Sequence, residues 1–145
     1  MTALISTRLQ FGELTGLVRL LDAASLPSAD LTEPDRMFFR FDDDDVALGF
    51  GGLEGQGSDR LLRSVVVVSG RRGAGIGRAM VEALEQKARE LGVQRLHLLT
   101  TTATPFFRAM GYVAAERPSA PSTIAGSREF TSLCPASAAY LVKAL

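Results

Sequence analysis

Alternating hydrophobic and polar positions predict strands and helices that follow one another along the whole chain. Short runs of branched and aromatic residues favour strands, whereas apolar residues three and four positions apart favour helices. The predicted strands cover residues 4–9, 36–41, 46–54, 60–68, 94–100, 112–116 and 138–143, and the predicted helices cover 12–24, 76–91 and 104–110. This order of elements indicates the α/β class.

The middle of the predicted sheet is the strand at residues 60–68. It contains four consecutive valines, Val65 to Val68, and such a run is typical of a strand buried on both faces. A helix connects it to the strand at 94–100. Because strand–helix–strand crossovers are almost always parallel and right-handed, we expect these two strands to lie side by side.

The outer strands are predicted from the turns around them. The strands at 36–41 and 46–54 flank four aspartates at 42–45, which indicates an antiparallel pair joined by a solvated turn. Proline, serine and alanine dominate residues 117–127, which predicts a loop, and residues 138–143 predict a closing edge strand.

Length and charge limit the classes of protein to consider. With 145 residues the chain suits one domain, which we assign to residues 1–145. Its 16 Lys and Arg balance 16 Asp and Glu, which argues against a nucleic-acid-binding surface. The single cysteine, the lack of a signal-peptide pattern and the lack of a long apolar run favour a cytoplasmic protein without disulfides or membrane insertion.

The segment from Ser69 to Arg78, between the valine-rich strand and the next helix, is typical of anion binding. Glycines in this segment let the backbone approach a ligand closely, and the helix start adds the positive end of its dipole. Arginines supply charge-assisted contacts to phosphates. The residues concerned are Gly73, Gly75, Gly77, Arg71, Arg72 and Arg78. The segment therefore predicts a pyrophosphate site.

Spacing distinguishes the nucleotide-binding patterns that such a loop could represent. The pattern G-x-G-x-x-G fails because its third glycine would fall on Arg78, and the P-loop pattern fails because no Gly-Lys-Ser/Thr is present. The spacing R-x-x-G-x-G from Arg72 to Gly77 resembles the pyrophosphate loop of the GNAT superfamily of N-acetyltransferases. The alternative is a glycine-rich turn without a ligand.

This resemblance covers nearly the whole chain and implies a single GNAT-like α/β domain. Its mixed central sheet would be splayed at the cofactor site and flanked by helices, with acetyl-CoA as co-substrate and no metal. The backbone of the valine strand would pair with the pantetheine arm and polarise the thioester carbonyl. The resemblance assigns cofactor contacts to Val65, Val67, Arg72, Gly73, Ala74, Gly75, Gly77, Arg78 and Phe107.

One departure from the family pattern concerns the general acid. Many members carry a tyrosine that protonates the leaving thiolate, whereas this chain has Phe106 and Phe107 at the corresponding aromatic pair. A thiolate is a good enough leaving group near neutral pH for water, Ser64 or Tyr112 to suffice. We therefore include Ser64 among the catalytic candidates.

Three further short sequence segments resemble the arsenic-resistance N-acetyltransferase branch of the superfamily. They are Gly52-Leu53-Glu54, Leu61-Leu62-Arg63-Ser64, and Arg128-Glu129-Phe130 followed by Leu133-Cys134-Pro135. This likeness implies a small-molecule amine as acceptor, such as an amino-acid-like compound bearing arsenic or phosphorus.

Two charged residues near the predicted cleft are candidates for acceptor chemistry. Glu54 ends a strand that points toward the splayed region, where a carboxylate can take the proton of the substrate ammonium; the alternative is a solvated strand end. Arg63 lies within a buried strand and needs a partner. It would hold a substrate carboxylate or form a structural ion pair with Glu54.

Later parts of the chain contribute weaker candidates. Arg117, Ser122 and Thr123 lie where a family member closes its acceptor pocket, and we assign them to substrate binding. Cys134 is interpreted as an inert buried thiol rather than an arsenic ligand, and His97 as a structural residue.

Two other functions stay open at this point. A non-catalytic acyl-CoA-binding sensor would keep the pyrophosphate loop without catalysing acetyl transfer. An acetyltransferase of protein or peptide amines would need an open acidic groove. The expected partner is a small amine, and a homodimer is common in the family although the sequence does not require it.

Overall fold

A computed structural model describes residues 4–68 and 75–145 of the protein. The strands are β1 Ile5–Arg8, β2 Arg36–Asp43, β3 Val46–Glu54, β4 Asp59–Val67, β5 Arg95–Thr100, β6 Val113–Ala114 and β7 Ala139–Ala144. The helices are α1 Thr15–Ala23, α2 Ile76–Glu90, α3 Thr104–Ala109 and α4 Ser122–Ala125. Short 3-10 turns occupy Phe11–Glu13 and Arg117–Ser119, and a π-helical turn occupies Glu129–Leu133.

The strands form one mixed sheet in the order β1-β2-β3-β4-β5-β7-β6. The predicted hairpin is confirmed, since β2 and β3 pair antiparallel. Asp44 and Asp45 connect them with φ of 48° and 67°. Two central residues with positive φ define a type I′ turn, which matches the twist of the flanking strands.

The strand β4 lies in the middle of the sheet, as predicted, and separates from β5 after a short ladder. Only Asp59 to Leu61 pair with β5, in parallel with Arg95 to His97. Beyond Leu61, β4 keeps its pairing with β3 but has no strand partner on the β5 side among the described residues. The predicted parallel neighbour and the predicted splay are both present.

An extra residue interrupts the pairing of β4 with β3. Gly52 lies opposite Arg63 and Phe50 opposite Val66, so that Ser64 and Val65 share one partner position. This is a β-bulge, which bends and twists the bulged strand. Ser64 has a φ of 58°, a left-handed conformation that is uncommon for a residue other than glycine.

Two hydrophobic layers cover the sheet. On one side the buried stripe of α2, formed by Met80, Val81, Leu84 and Ala88, packs with Leu62 of β4. On the other side Leu17 and Leu21 of α1 pack with Phe38, Phe50 and Val66. The helix α2 ends before Gly92, whose φ of 83° is the left-handed conformation that commonly ends a helix.

Three expectations need correction. The strand at the C-terminus is not an edge strand, because β7 lies between β5 and β6. The segment 117–127 is not an irregular loop but contains a 3-10 turn and α4, which are too short to show helical periodicity. The valine strand is not buried on both faces, because Val65, Val67 and Val68 are only half-buried.

Among residues 4–68 and 75–145, no helix is both long and apolar enough to cross a membrane.

Candidate functional site

The separation of β4 from β5 opens a cavity of about 570 Å³. Its walls are the splayed half of β4, the end of β5 with the following turn, the end of α1, and the C-terminal segment around the π-helical turn. The lining residues with polar or aromatic chemistry are Ser25, Arg63, Ser64, Thr100, Thr101, Thr102, Phe107, Glu129 and Cys134. Val65 and Val67, predicted to contact the cofactor, also line it.

The start of α2 lies beside this cavity through its contact with β4. Gly75 precedes the helix with a φ of 72°, and no side chain caps the first turn among the described residues. Within the described ranges, no side chain therefore competes with an anion for the first amide groups of this helix. A Cβ on Gly77 would lie 3.4 Å from the Phe106 ring and 3.8 Å from Val67, so glycine permits close packing there.

Of the other residues predicted to bind the cofactor phosphates, Arg78 is exposed and lies 3.4 Å from Glu82 on the next turn. Exposed pairs of this kind are weak, so the guanidinium can exchange Glu82 for a phosphate at little cost. Arg72, Gly73 and Ala74 lie outside the described residues.

The two aromatic residues on α3 differ in environment, since Phe107 is buried and Phe106 is exposed. Phe107 lines the cavity and makes edge-to-face contacts with Phe106 and Tyr112. The Tyr112 hydroxyl donates a 2.9 Å hydrogen bond to Glu85 in the core. Burial, together with the Glu85 carboxylate, raises the pKa of Tyr112. Tyr112 is not among the cavity residues, so Ser64 is the better placed of the two side chains considered as general acids.

Arg63 is the centre of a buried ion cluster. Its Nη1 donates to Asp30 at 2.6 Å and to Glu54 at 2.7 Å, and its Nη2 donates to the second oxygen of Asp30 at 2.8 Å. Its Nε donates to Ser64 Oγ at 3.1 Å and lies 3.2 Å from Glu129 Oε2. The Arg63 side chain has no exposed surface, and it lies over the Phe38 ring.

A second arginine completes this cluster. Arg36 on β2 donates from Nη2 to Asp30 at 2.8 Å, and the same nitrogen lies 3.5 Å from Glu54. Three buried carboxylates thus face two guanidinium groups, and when all five are ionised they carry one excess negative charge. Arg36 also lies 3.7 Å from the partly exposed Glu33, whose charge is balanced by Arg128, so the excess is unchanged.

Two carboxyl groups of this ion cluster, Asp30 and Glu129, have pKa shifts in opposite directions. Burial alone would raise the pKa of Asp30, but hydrogen bonds from Arg63 and Arg36 outweigh it and hold the value at about 2. Burial raises the pKa of Glu129 to about 7, and repulsion by Glu54 and Asp30 adds to this against the attraction of Arg63. Glu129 is therefore the carboxyl group that exchanges a proton near neutral pH.

The structure places Glu54 behind Arg63 rather than in the cavity. Its carboxylate binds Arg63 and lies near Arg36, and Glu54 is not among the described residues that line the cavity. Its assignment as general base stays a prediction. Arg63 does line the cavity, but three carboxylates already occupy its guanidinium.

The residues predicted to bind the acceptor lie elsewhere. Arg117 donates from Nη2 to the backbone oxygens of Pro135 and Ala138 and so ties down the segment that covers the cavity. Ser122 and Thr123 are exposed on α4, whose buried residue is Ile124. None of the three is among the described residues around the cavity, and their role in substrate binding stays a prediction.

His97 is buried, as expected of a structural residue, whereas Cys134 is only half-buried and lines the cavity rather than the core. Burial and the nearby Glu129 raise the pKa of Cys134 to about 11, which keeps this cavity-lining thiol protonated. His97 is buried, with Nδ1 2.7 Å from the Tyr140 hydroxyl and Nε2 2.7 Å from Asp59. Across the described parts of the chain, no three side chains of metal-ligating type are placed to hold a metal ion.

Sequence reasoning missed three members of the ion cluster: Asp30, Arg36 and Glu129. Asp30 follows α1 in a turn and has no exposed surface, and Glu129 is 4% exposed in a π-helical turn. The available signal was indirect: a charge at Arg63 within a buried strand requires opposite charges from somewhere in the fold. The sequence does not show which carboxylates supply them.

Comparison with known proteins assigns the family. A model described as the acetyltransferase (GNAT) family matches residues 6–112. The chain belongs to this family.

Among curated proteins, mouse N-alpha-acetyltransferase 80 is 43% identical over 56 residues. This match covers 39% of the present chain and only 18% of the mouse protein.

Solved structures share the fold over nearly the whole chain. A Mycobacterium tuberculosis protein in complex with CoA has a TM-score of 0.77 at 23% identity and covers 97% of this chain and 99% of its own. N-acetylglutamate synthase from Neisseria gonorrhoeae, complexed with coenzyme A and L-arginine, has a TM-score of 0.78 at 18% identity and covers 100% of this chain and 34% of its own. A Staphylococcus aureus acetyltransferase of the GNAT family has a TM-score of 0.75 at 16% identity, with 99% of both chains covered.

Proposed function

We propose that the protein transfers an acetyl group from acetyl-CoA to the primary amine of a small molecule. The observation that carries this proposal is the cavity between β4 and β5. Within the described residues, the edge of β4 that forms one wall has no strand partner beyond Leu61, and no side chain caps the adjacent start of α2. A strand edge without a partner offers amide and carbonyl groups to an extended ligand. Membership of the GNAT family supports acetyl-CoA as that ligand.

In this proposal the protein binds acetyl-CoA and polarises its thioester, and no covalent acetyl-enzyme forms. The backbone of β4 at Val65 and Val67 is proposed to hold the pantetheine arm and to donate to the thioester oxygen. Phe107 packs beside the arm, and the start of α2 from Gly75 binds the pyrophosphate with Arg72 and Arg78. The uncharged amine then attacks the carbonyl carbon directly, and Ser64 donates to the departing sulfur.

The covered shape of the cavity supports a small acceptor. The end of α1 lies over one side, and the segment from Glu129 to Ala138, fixed by Arg117, lies over another. Within this class, the likeness to the arsenic-resistance branch favours amino-acid-like compounds that carry arsenic or phosphorus.

The test is release of CoA thiol from acetyl-CoA in the presence of single amines. The panel should include amino acids, phosphinic and arsenic analogues of glutamate, polyamines, aminoglycosides and a lysine peptide. We expect thiol release with one class of small amine and the acetylated amine as product by mass spectrometry. Tight binding of acetyl-CoA by calorimetry without thiol release from any amine would contradict the proposal and favour the sensor.

A second candidate function is acetylation of a peptide N-terminal amine. The 43% identity over 56 residues with a mouse N-alpha-acetyltransferase favours it. Peptides with free N-termini belong in the same assay, and a preference for them over every free amino acid would select this second function.

A matched pair of glycine substitutions tests the cofactor assignment. Gly75→Leu and Gly92→Leu both place a side chain in open space at a positive φ, so each should cost about 1–2 kcal/mol of stability. Gly75 lies at the start of α2 and Gly92 just past its end. We expect calorimetry to show at least tenfold weaker acetyl-CoA binding for Gly75→Leu and unchanged binding for Gly92→Leu. Equal affinity in both variants would place the pyrophosphate elsewhere.

A further inference from the structure

Arg63 and Glu129 are the two charged side chains that line the cavity within the described parts of the chain. The Arg63 guanidinium is fully buried and is already bound to carboxylates on β3, on the π-helical turn and in the turn after α1. Glu129 has a single close ionic partner, the Nε of Arg63 at 3.2 Å. The charged group with unused binding capacity toward the cavity is therefore the Glu129 carboxylate.

We propose that Glu129 is the catalytic base that takes the proton from the substrate ammonium before the amine attacks. This inference rests on the proposed acetyl transfer and deepens it by naming a proton acceptor. It differs from the sequence prediction, which gave this role to Glu54.

The charge of the ion cluster supports proton uptake by Glu129. With one negative charge in excess, the cluster becomes neutral when one carboxyl group is protonated. Asp30 is unsuitable because both arginines bind it, and Glu54 is unsuitable because it lies behind Arg63. The groups that face Glu129 are Asp30, Arg36, Glu54, Arg63 and the protonated thiol of Cys134.

The pKa of Glu129 agrees with this role. Burial raises it to about 7, close to the pH at which a general base is most effective in a neutral medium. Its position against the same cavity as Val65 and Val67 places it on the route by which an amine reaches the polarised carbonyl.

The proton balance of the reaction is complete with the groups named. The ammonium transfers one proton to the Glu129 carboxylate and becomes a neutral amine. The amine nitrogen forms a bond to the carbonyl carbon, the bond from that carbon to sulfur breaks as Ser64 donates its proton to the departing thiolate, and the second nitrogen proton returns to Ser64. The Glu129 carboxyl group then releases its proton to water.

The experiment compares Glu129→Gln with Glu54→Gln over the pH range 5.5–9.5, using the best amine of the panel. For Glu129→Gln we expect kcat/KM to fall about 100-fold or more at pH 7 and the acid limb of the profile near pH 7 to disappear. The deficit should shrink to less than about tenfold at pH 9.5, where the amine loses its proton to solvent. Calorimetry should show unchanged affinity for acetyl-CoA.

For Glu54→Gln we expect a different profile. Repulsion by Glu54 raises the pKa of Glu129, so its removal should move the acid limb to lower pH while kcat/KM stays within about tenfold of the original. A 100-fold loss in Glu54→Gln, with the limb lost there instead, would overturn the assignment to Glu129. An unchanged profile in Glu129→Gln would overturn it as well.

Two controls separate the remaining outcomes. If the unsubstituted protein acetylates no amine, the proposed function fails and not merely the choice of base. If Glu129→Gln does not fold, Glu129→Asp keeps the charge and should retain the acid limb at lower kcat/KM; loss of that limb in Glu129→Asp would contradict the proposal.

Discussion

Replacing Arg63 with methionine is expected to lower the free energy of unfolding by about 3–5 kcal/mol. The substitution preserves most of the apolar volume but leaves Asp30, Glu54 and Glu129 buried with Arg36 as their remaining cation. Buried carboxylates without a partner must be protonated or exposed, and both cost free energy. Urea unfolding followed by circular dichroism measures the loss.

A surface arginine provides the control for this substitution. Arg78→Met breaks an ion pair with Glu82 in which both side chains are more than half exposed, and it should change stability by less than about 0.5 kcal/mol. The loss in Arg63→Met should also be smaller at pH 5 than at pH 8, because carboxyl groups neutralise at low pH. A loss below about 1 kcal/mol at pH 8 would mean that the ion cluster contributes little to the fold.

The stability of the unsubstituted protein should depend on pH in two opposite directions. The pKa of Glu129 is about 7 when folded, against an ordinary value of 4.5, so the folded state holds a proton that the unfolded state has lost between these values. Stability should therefore fall by about 3 kcal/mol as pH rises from 4.5 through 7. The pKa of Asp30 is lowered to about 2, so its stabilising contribution is present above about pH 4 and is lost as pH falls toward 2.

Glu129→Gln isolates the first of these effects. The amide cannot ionise, and it leaves two carboxylates facing two arginines. This variant should be as stable as the original at pH 5 and about 3 kcal/mol more stable at pH 8. Glu82→Gln, which removes an exposed carboxylate, should keep the original slope. If the free energy of unfolding of Glu129→Gln falls with rising pH as steeply as that of the unsubstituted protein, a group other than Glu129 causes the fall. A gain in stability together with a loss of activity is a frequent trade-off at active sites.

The order of the elements could be predicted because each follows from local periodicity. The apolar stripe of α2 and the aspartate turn between β2 and β3 each follow from a pattern within a short stretch of the sequence. The place of β7 could not be predicted in this way, because chain order does not fix spatial order within a sheet. The two-residue strand β6 gives too short a pattern to show that it takes the edge.

The candidate site likewise contains local features that the sequence predicts and long-range contacts that it does not predict. The glycine at the start of α2 and the valines of β4 belong to one continuous motif, and the structure places Gly75 before the helix and the valines against the cavity. The partners of Arg63 come from distant parts of the chain: Asp30 is 33 residues away, and Glu129 is further. Such contacts depend on how the layers pack, and hydrophobic spacing does not encode them.

The bulge at Ser64 and Val65 changes which positions of β4 face α2: even-numbered residues before it, odd-numbered residues after it. In a regular strand, positions that are both even or both odd share a face, yet Leu62 packs in the layer of α2 together with Val65 and Val67. Arg63 and Val66 lie in the opposite layer, over Phe38 and beside α1. Deleting one of the two bulge residues would restore regular pairing with β3 and leave every other side chain of the strand in its present layer. Deleting one residue anywhere else in β4 would instead exchange the two layers on one side of the deletion. The bulge is therefore the position at which this strand can lose a single residue without turning its core side chains outward.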